Sequence, residues 1–309
     1  LGDVYKRQGG THATASREFL LPNAFNAKHT KMLKDAVNIP VFIGHNIFSP
    51  EDAEKMLAEG NADFVALGRS QLADPAWAKK AKEGRASDIK PCINCLIGCI
   101  DRGMLSHTPI HCTVNPSLYR FECKPVEKAE TRKQVAVVGA GPAGCEAALT
   151  ASKRGHQVTI YEKRCIGGAM IEASKPENKA NIKRLIHYYE DHIMHDPNIT
   201  LVKKEVEYET LVHRGYDAVI IAVGGKTRIL NVPGIEKNSV IYASDYLNGS
   251  TAVTGNTVVV IGGGITGAET ALELNAEGKK VTIVEMTDAF LANLVPLVRH
   301  ILQRSMKQT

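Results

Sequence analysis

Val135-Ala136-Val137-Val138-Gly139-Ala140-Gly141-Pro142-Ala143-Gly144 is an apolar run that breaks into three spaced glycines. The run reads as a strand and the Ala-rich stretch behind Gly144 as a helix. Val158-Thr159-Ile160-Tyr161 gives a second strand ending at Glu162. Strand, G-x-G-x-x-G, helix, strand and acid in that order make the full Rossmann context; an isolated glycine motif would say little. Gly139 makes the tight turn, Gly141 lets a pyrophosphate approach the helix N-terminus, and Gly144 lets helix and strand pack closely. Glu162 stands where a carboxylate accepts from ribose hydroxyls.

Working outward, the same unit recurs. Thr257-Val258-Val259-Val260-Ile261 leads into Gly262-Gly263-Gly264-Ile265-Thr266-Gly267, a helix, and Val281-Thr282-Ile283-Val284-Glu285. Glu285 is as far from Gly262 as Glu162 is from Gly139. Cys165-Ile166-Gly167-Gly168-Ala169 is a further glycine turn behind Glu162, and Asp217 to Gly225 reads as a buried strand ending in glycine. Two such folds, the second inserted in the first, resemble the disulfide-reductase type of flavoprotein. The resemblance implies FAD on Gly139, Gly141, Gly144, Glu162 and Gly168, and NAD(P)H on Gly262, Gly264, Gly267 and Glu285. Some relatives carry only ADP in the first fold, which leaves FAD or ADP open. A carboxylate at Glu285 repels the 2′-phosphate of NADPH and no Arg adjoins it, so NADH is favoured, with Lys279 and Lys280 keeping NADPH in view.

Upstream, Cys92-Ile93-Asn94-Cys95-Leu96-Ile97-Gly98-Cys99 is followed by Cys112, a C-x2-C-x3-C-x12-C spacing. Three thiolates on one tight loop, completed by a fourth, suit the corners of a 4Fe-4S cluster. Structural zinc is the main rival, although its sites usually take two C-x2-C pairs well apart in sequence. A disulfide is the plainest alternative. Cys123, Cys145 and Cys165 read as unpaired, and an odd total of 7 Cys argues for a reducing, cytoplasmic setting. Cys145 is expected to pack as a small hydrophobe.

The 309 residues suit about two domains, and 44% apolar with 23% charged residues is an ordinary globular composition. The net charge of +5 is spread out, with no basic block and a single Trp77, which argues against a nucleic-acid partner. No apolar run reaches the roughly 18 residues of a membrane span. Leu1 to Gln8 lacks a clear period, resembles a translated adaptor string, and is expected to be a non-native leader; the chain as a whole is expected to be a fragment.

Between these, Met32, Leu33, Ala36 and Val37 recur at helical spacing. Ile39 to Ile43 and Ala62 to Leu67 read as strands buried on both faces, each closed by a glycine. Ser49-Pro50-Glu51-Asp52 reads as the capped start of a helix running to Glu59. Gly44-His45 and Gly68-Arg69 would then form a two-loop phosphate cradle at one edge of a βαβ unit, against the plainer reading of turn glycines. The order V-A-L-G-R-S-Q-L-A-D-P, a helix at Trp77, and then the Cys run resembles the iron–sulfur branch of the old yellow enzyme family. That branch includes 2,4-dienoyl-CoA reductase, 2-enoate reductase and trimethylamine dehydrogenase.

The resemblance implies an α/β chain holding the C-terminal end of a TIM barrel at 9–90 and a cluster segment at 91–122. A linker at 123–132, an FAD domain at 133–254 and a truncated NAD(P) domain at 255–309 would follow. It implies that Gly44, His45, Gly68 and Arg69 hold the phosphate of FMN, although relatives commonly carry Arg where His45 stands. It implies reduction of an activated C=C bond in a small unsaturated substrate, with electrons passing from NADH through FAD and the cluster to FMN. An amine dehydrogenase and a non-catalytic electron-transfer module are the alternatives. The proton donor belongs to barrel strands outside this sequence, so no catalytic residue is named, and a homo-oligomer stays open. The fragment alone is expected to be inactive and prone to aggregate. His187, His192 and His195 read as a polar helix face, and Asp245-Tyr246 as a surface connection.

Overall fold

The computed structural model describes residues 23–118, 126–176, 179–292, 294 and 296–307. The leader at 1–8, Arg17, Pro22, Cys123 and the start of the 123–132 linker lie outside these residues. The chain falls into two compact units. One takes the described residues of 1–120, 176–181 and 255–309, and the other those of 121–175 and 182–254.

In the first unit, helix α1 (Ala27–Ala36) precedes strand β1 (Phe42–Ile43), helix α2 (Pro50–Ala58) and strand β2 (Phe64–Val65). Ser49 caps α2 as its sequence demands, its Oγ accepting from the Asp52 N–H at 3.0 Å. β1 and β2 run parallel with Phe42 opposite Phe64 and Ile43 opposite Val65. Helices α3 (Arg69–Ala73) and α4 (Trp77–Lys82) follow. Ile43, Ile47, Met56, Trp77 and Ile89 form their shared core. Asp74, buried at the end of α3, accepts from the Ala76 N–H (3.0 Å), the Lys90 N–H (3.0 Å) and Lys80 Nζ (2.6 Å). That carboxylate ties the helices to the chain entering the Cys run.

β2 is not buried on both faces as its composition suggests, although Ile43 of β1 is fully buried. Phe64 is 49% exposed, and α1 buries none of its side chains. A barrel strand is covered only when flanked on each side and backed by helices; among the described residues β1 and β2 pair only with each other.

The second unit holds β3 (Gln134–Val138), α5 (Pro142–Lys153), β4 (Gln157–Tyr161), α6 (Met170–Ala173) and α7 (Ala180–His195), whose first two residues belong to the other unit. It continues with β5 (Ile199–Val202), α8 (Tyr208–His213), β6 (Ala218–Ile221) and α9 (Ala243–Leu247). The four strands are parallel in the order β5-β4-β3-β6. Counted from β3 this is 3-2-1-4, the doubly wound order. Two expectations fail in this unit. β6 is not a buried strand: it occupies the sheet edge and all four of its residues are exposed. Asp245 and Tyr246 are not a surface connection but part of α9, with Tyr246 buried, because an apolar residue on even a short helix finds a covered face.

The first unit closes with β7 (Thr257–Ile261), α10 (Ile265–Ala276), β8 (Lys280–Val284) and α11 (Pro296–Met306). β7 and β8 are parallel, with Thr257 opposite Lys280 and Ile261 opposite Val284. No described helix is long and apolar enough to cross a membrane.

The two glycine motifs impose one steric rule. A Cβ on Gly144 would lie 1.9 Å from the Gly139 carbonyl oxygen, and a Cβ on Gly267 would lie 1.9 Å from that of Gly262. Gly144→Ala and Gly267→Ala should each lower the unfolding free energy by about 1–3 kcal/mol or more. Gly225→Ala, where a Cβ meets nothing within 4 Å, should stay within about 0.5 kcal/mol of the parent in urea titrations.

Candidate functional site

In the second unit the glycine loop turns at Gly139. Its φ is +99°, and a Cβ there would lie 2.4 Å from the Ala222 oxygen, so the position admits only glycine. Gly141 is the extended N-cap of α5 and Pro142 its first residue, so free N–H groups open outward there. Gly168, at φ +53°, approaches so closely that a Cβ would sit 2.8 Å from the Gly141 Cα. The Gly167 N–H donates to the Ala140 oxygen at 2.9 Å. The two glycine turns separated in sequence are thus one surface. Glu162 closes it, with Oε2 accepting from the Ala140 N–H and Oε1 from the Arg164 N–H, both at 2.8 Å.

The glycine loop of the first unit repeats the design. Gly264 caps α10 in an extended conformation, and Glu285 Oε2 accepts from the Gly263 N–H at 2.7 Å. The Glu285 Oε1 accepts from the Thr287 N–H and hydroxyl, both at 2.9 Å. The Gly263 N–H, followed by the Thr287 donors, holds this carboxyl below its ordinary range. A hook that the glycine spacing does not announce completes the loop. The Leu291 N–H donates to the Gly263 oxygen at 3.0 Å, and a Cβ on Gly263 would lie 2.5 Å from the edge of the Phe290 ring. No motif marks these two residues; only the fold brings them back.

Cys92, Cys95, Cys99 and Cys112 are half-buried free thiols of one segment. Asn94 and Leu96, at φ +56° and +59°, turn the chain on both sides of Cys95. A π-helical turn spans Ile97–Leu105. The His111 N–H donates to the Gly98 oxygen at 2.8 Å, and a Cβ on Gly98 would meet the His111 oxygen at 2.4 Å. This fold-back carries Cys112 toward Cys99, whose thiol feels its charge, and Cys95 Sγ lies 3.3 Å from Thr113 Oγ1. Burial pushes the Cys92 thiol up to about 12, partly offset by the Arg69 guanidinium and the Asn94 N–H. Burial also raises the Cys99 thiol. Among the described residues no group of three His, Cys, Asp or Glu side chains is placed to hold a metal ion.

Gly44, His45, Gly68 and Arg69 lie at the ends of β1 and β2. The left-handed conformation falls on His45 (φ +70°) and Asn46 (φ +50°) rather than on Gly44. Arg69 reaches Asn46 Oδ1 with Nη2 at 2.8 Å and Asn94 Oδ1 with Nη1, and its Cζ lies 5.5 Å from the Phe48 ring centroid. Asn94 sits between two of the cysteines, so Arg69 joins the loop after β2 to the Cys loop. The asparagines were legible only as neighbours of His45 and Cys92.

The helical histidines are used locally. His187 pairs with Glu190 at 2.9 Å, and His192 and His195 donate from Nδ1 to the Tyr188 and Asp191 oxygens at 2.8 and 2.9 Å. Cys145 is fully buried with its thiol against the Ala140 oxygen, as a small hydrophobe packs.

Comparison with known proteins gives matches along the chain. Residues 133–309 match the pyridine nucleotide-disulphide oxidoreductase family, and residues 12–88 the NADH:flavin oxidoreductase / NADH oxidase family. An NADH oxidase of Thermoanaerobacter brockii is 43% identical over 272 residues, 86% of this chain and 42% of that protein. A cinnamate reductase of Clostridium sporogenes is 34% identical over 265 residues, 85% of this chain and 39% of its own length. A 2-naphthoyl-CoA reductase solved with 2-naphthoyl-CoA superposes with a TM-score of 0.86 at 30% identity, covering 94% of this chain and 44% of that one. The chain thus spans about two fifths of the length of the curated relatives it matches.

Leu96, between Cys95 and Cys99, is buried in one core with Ala268, Leu291, Val298, Ile301 and Leu302. Leu96→Ala should cost about 2–5 kcal/mol in denaturant titrations and Leu96→Met less than about 1.5.

Proposed function

The chain belongs to the pyridine nucleotide-disulphide oxidoreductase family, and on that premise we propose that the longer protein is an NADH-dependent flavin and iron–sulfur oxidoreductase that reduces an activated C=C bond. The observation that carries this reading is the pairing of two glycine loops of like construction, each closed by its own carboxylate, with a loop of four free thiols. Cinnamate, named for one relative, is an enoate, and the substrate class proposed here is enoates, enoyl-CoA thioesters or unsaturated ketones.

FAD and FMN exchange either a hydride or single electrons when bound, and a 4Fe-4S cluster passes electrons singly, which suits a chain from NADH through FAD to FMN. Gly139, Gly141 and Gly144 would seat a pyrophosphate at the α5 N-terminus, with Gly168 keeping that surface free of side chains and Glu162 turned to a ribose. Gly262, Gly264, Gly267 and Glu285 would do the same for NADH. Glu285, held ionised by its backbone donors, repels a 2′-phosphate and so selects NADH over NADPH. Cys92, Cys95, Cys99 and Cys112 would hold the cluster. The donor set fits, being four half-buried thiols on a folded-back loop with backbone N–H groups already aimed at sulfur, as Asn94 donates to Cys92 Sγ at 3.4 Å. Gly44, His45, Gly68 and Arg69 would face the FMN phosphate from the ends of β1 and β2.

Anaerobic preparation should yield iron and acid-labile sulfide in equal amounts together with flavin; zinc in place of iron sinks the iron–sulfur part. Glu285→Gln should weaken NADH binding about tenfold to a hundredfold, the worth of hydrogen bonds to a charged acceptor, while leaving NADPH binding unchanged or better. Equal losses for both nucleotides in fluorescence titrations would overturn the selectivity.

A further inference from the structure

Thr113 follows Cys112, the fourth cysteine of the run, and the fold-back of His111 onto Gly98 delivers it to the first group of thiols. Its Oγ1 stands 3.3 Å from Cys95 Sγ. Between a thiol and a hydroxyl either atom can donate. Once Cys95 is a metal-bound thiolate it has no proton, and the contact has one sense only, with the hydroxyl donating to sulfur. Cys92 and Cys99 receive backbone N–H groups, from Asn94 and Ile100. Those donors are present whatever the side chains are. The donor to Cys95 is a side chain, so it can be removed by substitution without altering the backbone.

We propose that Thr113 is a positioning residue for the cysteine centre, its hydroxyl donating to the Cys95 thiolate and thereby raising the reduction potential of the cluster proposed above. The inference rests on that iron–sulfur reading. Reduction adds negative charge that spreads onto the thiolate sulfurs, and a donor aimed at one of them stabilises the reduced form more than the oxidised. The same contact pins the residue after Cys112 to Cys95, linking the fourth ligand to the second. Arg69, near Cys92, acts on the same centre through charge, but it also serves the loop after β2. Thr113 has no such second duty among its described contacts.

The test is an anaerobic redox titration, followed by electron paramagnetic resonance, of the whole chain reconstituted with ferrous iron and sulfide. Thr113→Val should keep the parent's iron and sulfide content. Poised at the parent's midpoint, its reduced-to-oxidised ratio should be about three- to tenfold lower, tenfold being about 59 mV for a one-electron couple. Thr113→Ser should titrate with the parent. By comparison of H2O with D2O, the reduced centre of the parent and the Ser variant should show one exchangeable-proton coupling that the Val variant lacks, while those of the Asn94 and Ile100 N–H groups persist in all three. If Val does not retain iron, Thr113→Ala is titrated instead and should show the same shift. A Val or Ala variant that titrates with the parent, or loss of iron in both, overturns the role. A parent that binds no iron overturns the iron–sulfur reading itself and this inference with it.

Discussion

A carbonyl oxygen 1.9 Å from where a side chain would begin is the constraint on which both glycine loops depend. In each, the third glycine of the motif lets the helix settle against the oxygen of the first. That closeness aims the helix N-terminus at the turn, and the acid ending the next strand can then reach back to a loop N–H. Glu162 and Glu285 do so with nearly equal distances, 2.8 and 2.7 Å. The two loops differ in what surrounds them. Gly139 is pressed against Ala222 of the chain leaving β6, while a Cβ on Gly262 would meet nothing. At its first position the first loop therefore needs glycine for space and conformation together, and the second for conformation alone.

The cysteine loop owes its shape to packing on either side of it. Leu96 drops into the core made with α10 and α11, which anchors the loop between Cys95 and Cys99. Arg69 and Asn94 hold its other flank to the end of β2, and Asn115 continues the attachment by donating to the Leu72 oxygen at 2.9 Å. Buried aliphatic contact and a charged hydrogen bond thus act on one short stretch. Its thiols are placed by residues that carry no redox chemistry themselves.

Much of this was legible in the chain, for definite reasons. The Ser49 cap and the strand–glycine–helix–acid order depend on neighbours a few residues apart, where local geometry dominates. The strand runs around β1, β2 and β6 read as buried because they are apolar. Burial is not local: it requires neighbours that composition cannot count, and Phe64 and β6 stand exposed. Tyr246 departs in the opposite direction, a residue given to the surface that its short helix buries.

The sequence by itself determined the α/β class, both glycine loops with their acids, and the close spacing of the four cysteines. Each is a matter of residue type at fixed spacing, which sterics and hydrogen bonding translate directly into backbone shape. Tertiary structure decided that Gly168 abuts Gly141, that Phe290 and Leu291 return to Gly263, that Arg69 spans Asn46 and Asn94, and that Thr113 meets Cys95. These pairs are separated by turns and helices whose closure depends on packing across the whole unit, and no spacing rule records where such a path returns.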